Sequence, residues 1–190
     1  MVSHSELREM VRRTAEELSG PRRLAVVRAR RDVDSVVAYL GAMEAGHPVL
    51  LTGEGQLPGE ADEHFSAGLT FDGDRGWEST GRTAGEIHPD LALLLSTSGS
   101  TGSPKLVRLS KSNVASNAAA IAQYLGIGPD DRALATLPVH YCYGLSVLNS
   151  HMVAGAAVVL TEAGVVDPCC WELAEGAGAT SFAGVPHTFT

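Results

Sequence analysis

The chain has 190 residues, 44% hydrophobic and 19% charged, with a formal net charge of −8. That length allows one sizeable core, or one domain and part of another, and the acidic balance excludes a nucleic-acid groove, which needs a basic footprint. Three cysteines, Cys142, Cys169 and Cys170, match neither a disulfide framework nor a zinc motif and point to a reducing cytoplasm.

The first segment, MVSHSELREMVRRTAEELSG, carries Leu7, Met10, Val11 and Leu18 at helical spacing, with charges between them and Gly20–Pro21 as a stop. It predicts an amphipathic helix and lacks the continuous apolar core of a secretory signal. The longest apolar run, Met152–Leu160, is too short to span a bilayer. The basic stretch Arg22–Arg31 reads as a strand with charged ends. DVDSVVAYLGAMEAG (32–46) then predicts a helix opened by an Asp or Ser cap and closed by glycine, and HPVLLT a second strand. A strand–helix–strand order favours a parallel sheet.

Residues 53–90 are rich in Gly, Asp and Glu. AGLTFDGD predicts a short strand with a turn, and the remainder reads as loop. Alternation then resumes. LALLL is apolar at every position, as a buried strand is. After a loop of hydroxyls and glycines, KLVRLS predicts a strand with Lys and Arg outward and Leu and Val inward. SKSNVASNAAAIAQYLGIG predicts a capped, alanine-rich helix. RALATLP, AAVVLTE and ATSFAGVP predict strands. YGLSVLNSHMVAG and DPCCWELAEGAG predict helices, the latter with Pro168 near its start. The fold expected is α/β, a mostly parallel sheet flanked by helices. Its parts are an N-terminal helix (1–22), a strand–helix–strand unit (23–52), a Gly/Asp-rich irregular segment (53–90) and an α/β subdomain built around the hydroxyl loop (91–190).

That loop, STSGSTGSPK (96–105), carries the chemistry. Gly99 and Gly102 permit the backbone angles of an anion nest. Thr97, Ser98, Ser100, Thr101 and Ser103 add hydroxyl donors, and Lys105 adds one mobile charge. Together they suit phosphate oxygens, which take several hydrogen bonds and need charge compensation. The kinase and GTPase pattern G-x-x-x-x-G-K-[ST] does not fit: Pro104 stands before the lysine, Leu106 follows it, and the loop runs into a strand, so no helix N-terminus backs the site. A flexible Ser/Gly linker fits poorly with a short loop holding Pro–Lys between two strong strands.

The string closely resembles the phosphate loop of the adenylate-forming (AMP-binding) enzymes, the acyl-CoA synthetases among them. Thr97, Ser98, Gly99, Ser100, Thr101, Gly102, Pro104 and Lys105 match that signature. Leu106 departs from its usual glycine, and Lys111 replaces the histidine that usually opens the next helix. LPVHYCYG resembles the family's next motif through Pro138, Tyr143 and Gly144; Tyr141 stands where the motif has histidine, with His140 one place earlier. ATSFAGVPHTFT resembles the strand and Val-Pro element leading to the acyl pocket.

The resemblance implies ATP-dependent activation of a small-molecule carboxylic acid to an acyl-adenylate with pyrophosphate release, then transfer to a thiol of coenzyme A or of phosphopantetheine on an acyl carrier protein. It implies Thr97, Ser98, Gly99, Ser100, Thr101, Gly102, Ser103 and Lys105 as the ATP phosphate-binding set, with Lys105 and Thr101 catalytic. It implies His140, Tyr141, Gly144, Val185 and Pro186 as the carboxylate and acyl pocket. No metal-ligand cluster is apparent, and Mg2+ is expected on Thr101 and on residues downstream. The resemblance covers only the N-terminal part of the family's large domain. The adenine-binding part and the C-terminal domain would be absent, so the chain alone is expected to be inactive and to leave a sheet edge open to homodimerisation. Two other readings stay open: a non-catalytic nucleotide-binding or interaction fragment, and a phosphotransferase, which would yield ADP. Among lone residues, His151 reads as a packed or surface histidine, His187 as a neighbour of the pocket or a lining of it, Cys142 as a small buried hydrophobe, and Cys169–Cys170 as structural.

Overall fold

The structure, a computed structural model, describes residues 1–53, 66–82, 85–96 and 106–189, without the side chains of residues 187 and 189. The chain forms two compact units, Met1–Lys111 and Ser112–Thr190. The first therefore runs on past residue 90, because the strands after it join the same sheet as those before.

In the first unit, helix α1 (His4–Glu17) starts at Ser3, whose hydroxyl accepts the Glu6 N–H at 3.2 Å while the Glu6 carboxylate accepts the Ser3 N–H at 2.7 Å. This reciprocal pair satisfies two amides that a helix end leaves open. Helix α2 (Val33–Glu44) is capped by Asp32, whose Oδ1 accepts the Ser35 N–H at 2.7 Å. Its residues Val36, Val37, Ala38, Tyr39 and Ala42 are buried, and it packs on strands β1 and β2, with α1 against it. The two helices approach so closely at Gly41 that a Cβ there would lie 2.5 Å from Thr14 Cγ2.

The sheet holds β1 (Ala25–Arg28), β2 (Val49–Thr52), β3 (Leu69–Asp72), β4 (Gly76–Ser79), β5 (Leu91–Ser96) and β6 (Leu106–Ser110) in the order β4-β3-β1-β2-β5-β6. The four central strands are parallel, and β4 and β6 close the edges antiparallel. Val26, Leu50 and Leu94 stand side by side in register and pack with Leu24 and Ala67 into one core. Near-complete burial of each such leucine contributes about 1.5–3 kcal/mol. β4 was expected to be loop. It forms because Trp77 packs at a tilt against Phe71 of β3, ring centroids 5.3 Å apart. Val107 was expected to face inward. It is 43% exposed, because β6 is an edge strand with β5 as its only described neighbour.

One buried polar residue ties these elements together. His47, 1% exposed, accepts the Arg23 N–H on Nδ1 at 3.1 Å, so its Nε2–H donates to the Leu18 carbonyl at 2.8 Å. A single ring thus joins the end of α1 to the entry of β1. At the other end of β1, Arg30 forks onto both carboxylate oxygens of Asp74 at 2.9 and 3.0 Å, bracing the turn between β3 and β4.

The second unit runs α3 (Lys111–Leu125), β7 (Arg132–Ala135), α4 (Cys142–Val153), β8 (Ala157–Leu160), α5 (Pro168–Ala177) and β9 (Ser181–Phe182), then a short 3-10 turn, Pro186–Phe189. Its sheet is wholly parallel in the order β8-β7-β9. α4 packs on β7 and β8. Leu134, Cys170 and Ala174 form the core, with Val159 against them. Of the cysteine pair, Cys170 is buried and Cys169 exposed. Cys142, expected to be buried, is exposed as the first residue of α4. His151 is buried and donates Nδ1–H to the Val147 carbonyl at 2.8 Å, which fits the packed reading. Among the described residues no helix is long and apolar enough to cross a membrane.

Candidate functional site

In an open parallel sheet, ligands meet the loops at the carboxyl ends of the strands. The loop 97–105, with Thr97, Ser98, Gly99, Ser100, Thr101, Gly102, Ser103 and Lys105, leaves the carboxyl end of β5 and returns as β6. It lies outside the described residues. The strand that delivers it is fixed on both sides, by β2 and by β6, and Leu93, Leu94 and Leu95 anchor it in the interior.

The second set of expected residues follows the same rule in the second unit. His140, Tyr141 and Gly144 follow β7, and Val185 and Pro186 follow β9. β7 and β9 are neighbouring parallel strands, paired Ala133↔Ser181 and Leu134↔Phe182. The two loops therefore leave the sheet at the same, carboxyl end, and the structure brings these five residues to that end.

Each loop is braced internally. After β7, the Tyr141 N–H donates to the Pro138 carbonyl at 3.1 Å, and the Tyr141 carbonyl accepts the Leu145 N–H at 2.9 Å. Gly144 is buried against the Leu137–Pro138 peptide, where a Cβ would lie 2.2 Å from Pro138 O. The first turn of α4 can lie this close only with glycine at that position. His140 is half-buried, whereas Tyr141 is 44% exposed and Tyr143 43%. After β9, the Val185 N–H donates to Thr188 Oγ1 at 3.0 Å, and the Thr188 N–H donates to the Val185 carbonyl at 2.7 Å. Val185 is half-buried and Pro186 exposed.

One contact joins the two loops. The Thr136 hydroxyl donates to the Ala183 carbonyl at 2.6 Å. Thr136 is not among the residues expected from the sequence. In RALATLP it reads as one more strand residue, and its partner is a backbone atom 47 residues away, which no local pattern encodes.

Chemically, the loops after β7 and β9 offer aromatic and aliphatic surface beside backbone amides, which suits an organic acid. Among the described residues no group of three or more His, Cys, Asp or Glu side chains is placed to hold a metal ion.

Comparison with known proteins bears on the fold and the family. Over 70 residues (36% of the chain, 14% of the relative) the chain is 43% identical to a sulfoacetate–CoA ligase of Cupriavidus necator. Over 108 residues (53% of the chain, 22% of the relative) it is 39% identical to a 2-succinylbenzoate–CoA ligase of Bacillus velezensis. The crystal structure of apo MatB from Rhodopseudomonas palustris superposes with a TM-score of 0.79 at 24% identity, covering 99% of this chain and 45% of that one. O-succinylbenzoate coenzyme A synthetase from Bacillus subtilis, in complex with AMP, does so with a TM-score of 0.77 at 22% identity, covering 98% and 56%. At these identities the structural likeness establishes the fold, and the chain spans about half the length of these solved relatives. The family pattern described as AMP-binding enzyme matches residues 52–190, most of the chain and both candidate loop sets, so the chain belongs to the AMP-binding, adenylate-forming enzyme family.

Proposed function

We propose that this chain supplies the phosphate-binding and acid-binding loops of an AMP-forming acid–thiol ligase. The observation that carries the reading is the string Thr97–Lys105 placed between β5 and β6 inside the matched region. In the reaction, a carboxylate oxygen attacks the α-phosphorus of ATP, the bond to pyrophosphate breaks, and an acyl-adenylate remains. A thiol then takes the acyl group and AMP leaves. The negative charge growing on the leaving pyrophosphate is met by the loop's amides, its hydroxyls and Lys105, with Thr97, Ser98, Gly99, Ser100, Thr101, Gly102 and Ser103 around the phosphates. Thr101 offers a hard oxygen donor of the kind Mg2+ takes, and that ion would neutralise phosphate charge.

His140, Tyr141, Gly144, Val185 and Pro186 form the side that receives the acid. Coenzyme A is the favoured acceptor, because the similar curated proteins include CoA ligases. A carrier protein is the second, since tyrocidine synthase 3 of Brevibacillus parabrevis is 26% identical across 99% of the chain. The three free thiols support a reducing cytoplasmic setting. A homodimer would use the β9 edge, where Phe182 is exposed, and light scattering measures it.

The test is carboxylate-dependent ATP–pyrophosphate exchange by the product of the whole reading frame that encodes this chain. It uses a panel of fatty, aromatic and amino acids, with Lys105→Ala and Thr101→Ala beside the wild type. Exchange with one acid class, reduced about 10²–10³-fold in Lys105→Ala, is the expected result. No exchange with any acid would put the non-catalytic nucleotide-binding reading ahead. ADP as product would indicate a phosphotransferase.

A further inference from the structure

We infer that Thr136 is a positioning residue for the acid, latching the loop after β7 to the loop after β9; this rests on the proposed acid-activating role. The backbone ladder between β7 and β9 ends at the pair Leu134↔Phe182. Two residues further on, the Thr136 N–H donates to the Leu134 carbonyl at 3.0 Å, turning the chain out of the sheet. No backbone rung to β9 follows among the described residues. In its place the Thr136 side chain reaches across, and its hydroxyl meets the Ala183 carbonyl at 2.6 Å. A side-chain bond thus extends the ladder beyond its last backbone rung.

The position of this bond gives it leverage. Thr136 stands two residues before Pro138, and Pro138 O supports both the Tyr141 N–H and the closely packed Gly144. Residues 136–144 therefore move as one block. Ala183 stands two residues before Val185, whose amide and carbonyl are both engaged by Thr188, so residues 183–188 form a second block. One block carries His140, Tyr141 and Gly144 and the other Val185 and Pro186, the residues assigned to the acid. Near the strand ends the Thr136 hydroxyl links them. A carboxylate held for in-line attack by residues of both loops needs the loops at a fixed spacing, because near-attack geometry is lost with displacements of about 1 Å.

Thr136→Val keeps the shape of the side chain and removes the hydroxyl, leaving the Ala183 carbonyl without this donor. Thr136→Ser keeps the hydroxyl. The experiment is acid-dependent ATP–pyrophosphate exchange on the whole gene product, recording KM for the acid and for ATP separately, with thermal melting beside it. The expected result for Thr136→Val is an acid KM raised roughly five- to tenfold, the scale of one lost hydrogen bond. The ATP KM should stay within about twofold, since the phosphate loop belongs to the other unit, and Thr136→Ser should return the acid KM to the wild-type value. An unchanged acid KM in Thr136→Val, or acid and ATP KM rising together with a lowered melting temperature, overturns the inference while the proposed function stands. No exchange by the wild-type protein with any acid overturns both.

Discussion

The carbonyl oxygen of Pro138 occupies the space that a side chain on Gly144 would need: a Cβ built on Gly144 lies 2.2 Å from that oxygen and 2.8 Å from the carbonyl oxygen of Leu137. Both obstacles are backbone and cannot swing aside. Gly144→Ala must therefore lift the first turn of α4 from the Leu137–Pro138 peptide and disturb the Tyr141 N–H bond to Pro138 O. The expected cost is about 1–3 kcal/mol of stability, the usual range for forced overpacking, read by urea denaturation. A change below about 0.5 kcal/mol, the ordinary range of a surface substitution, would mean that the turn shifts freely.

His47 bridges Arg23 and Leu18 through its two ring nitrogens in a buried position. His47→Leu fills a similar volume with no polar atom, so the Arg23 N–H and the Leu18 carbonyl lose their partner together. Destabilisation of about 2–4 kcal/mol is expected from two buried groups left unmade, with His47→Gln recovering part of it. Equal stability of wild type and His47→Leu in chemical denaturation would show that other groups take over both bonds.

The elements visible in the sequence are those with a repeating local signal. β1, β2 and β5 are apolar runs, and each became a parallel strand with its interior positions buried. Asp32 preceding a helical apolar pattern marked the start of α2. β4 escaped notice because Gly76–Trp77–Glu78–Ser79 holds one apolar residue, and that residue is explained only by Phe71 across the hairpin. His47, between a glycine and a proline, has no periodic neighbours, and both its partners are backbone atoms far along the chain. Thr136 was hidden for the same reason. The phosphate loop was legible as a string because its chemistry lies in residue type and spacing. The expected acid-side residues were legible as two separate motifs, and only the β7–β9 pairing shows that they share the carboxyl end of one sheet.

Glu9 predicts how α1 responds to acid. Its carboxylate takes hydrogen bonds from Arg12 and from Arg13, each at 2.8 Å, and Arg12 first, then Arg13, holds it down to about 2 from an ordinary 4.5. A depressed folded-state value means that the stabilisation is complete above 4.5 and is lost as pH falls towards 2. The difference in melting temperature between wild type and Glu9→Gln is therefore expected to be constant from neutral pH down to about 4.5 and to shrink below it. It should also weaken in molar salt, since the pair is exposed and screened. A difference that ignores pH would assign the effect of Glu9 to packing.

Tyr141 and His140 are the two candidates for the position that the family motif gives to histidine, and they differ in exposure. The backbone of Tyr141 is held on both sides, by Pro138 O and by the Leu145 N–H, while its side chain is 44% exposed at the start of α4 and makes no capping bond. A fixed backbone with a free side chain suits contact with a ligand. His140 is half-buried, so its ring offers less surface to a ligand. Under the proposed function, Tyr141→Ala is expected to raise the acid KM about tenfold through lost aromatic contact and to leave the ATP KM unchanged. Tyr141→Phe should behave as wild type if the ring is the working part and as Tyr141→Ala if the hydroxyl is. His140→Ala should raise the acid KM less than Tyr141→Ala does, since its ring is half-buried. An acid KM that follows His140 and ignores Tyr141 would reverse the assignment and place the imidazole at the acid.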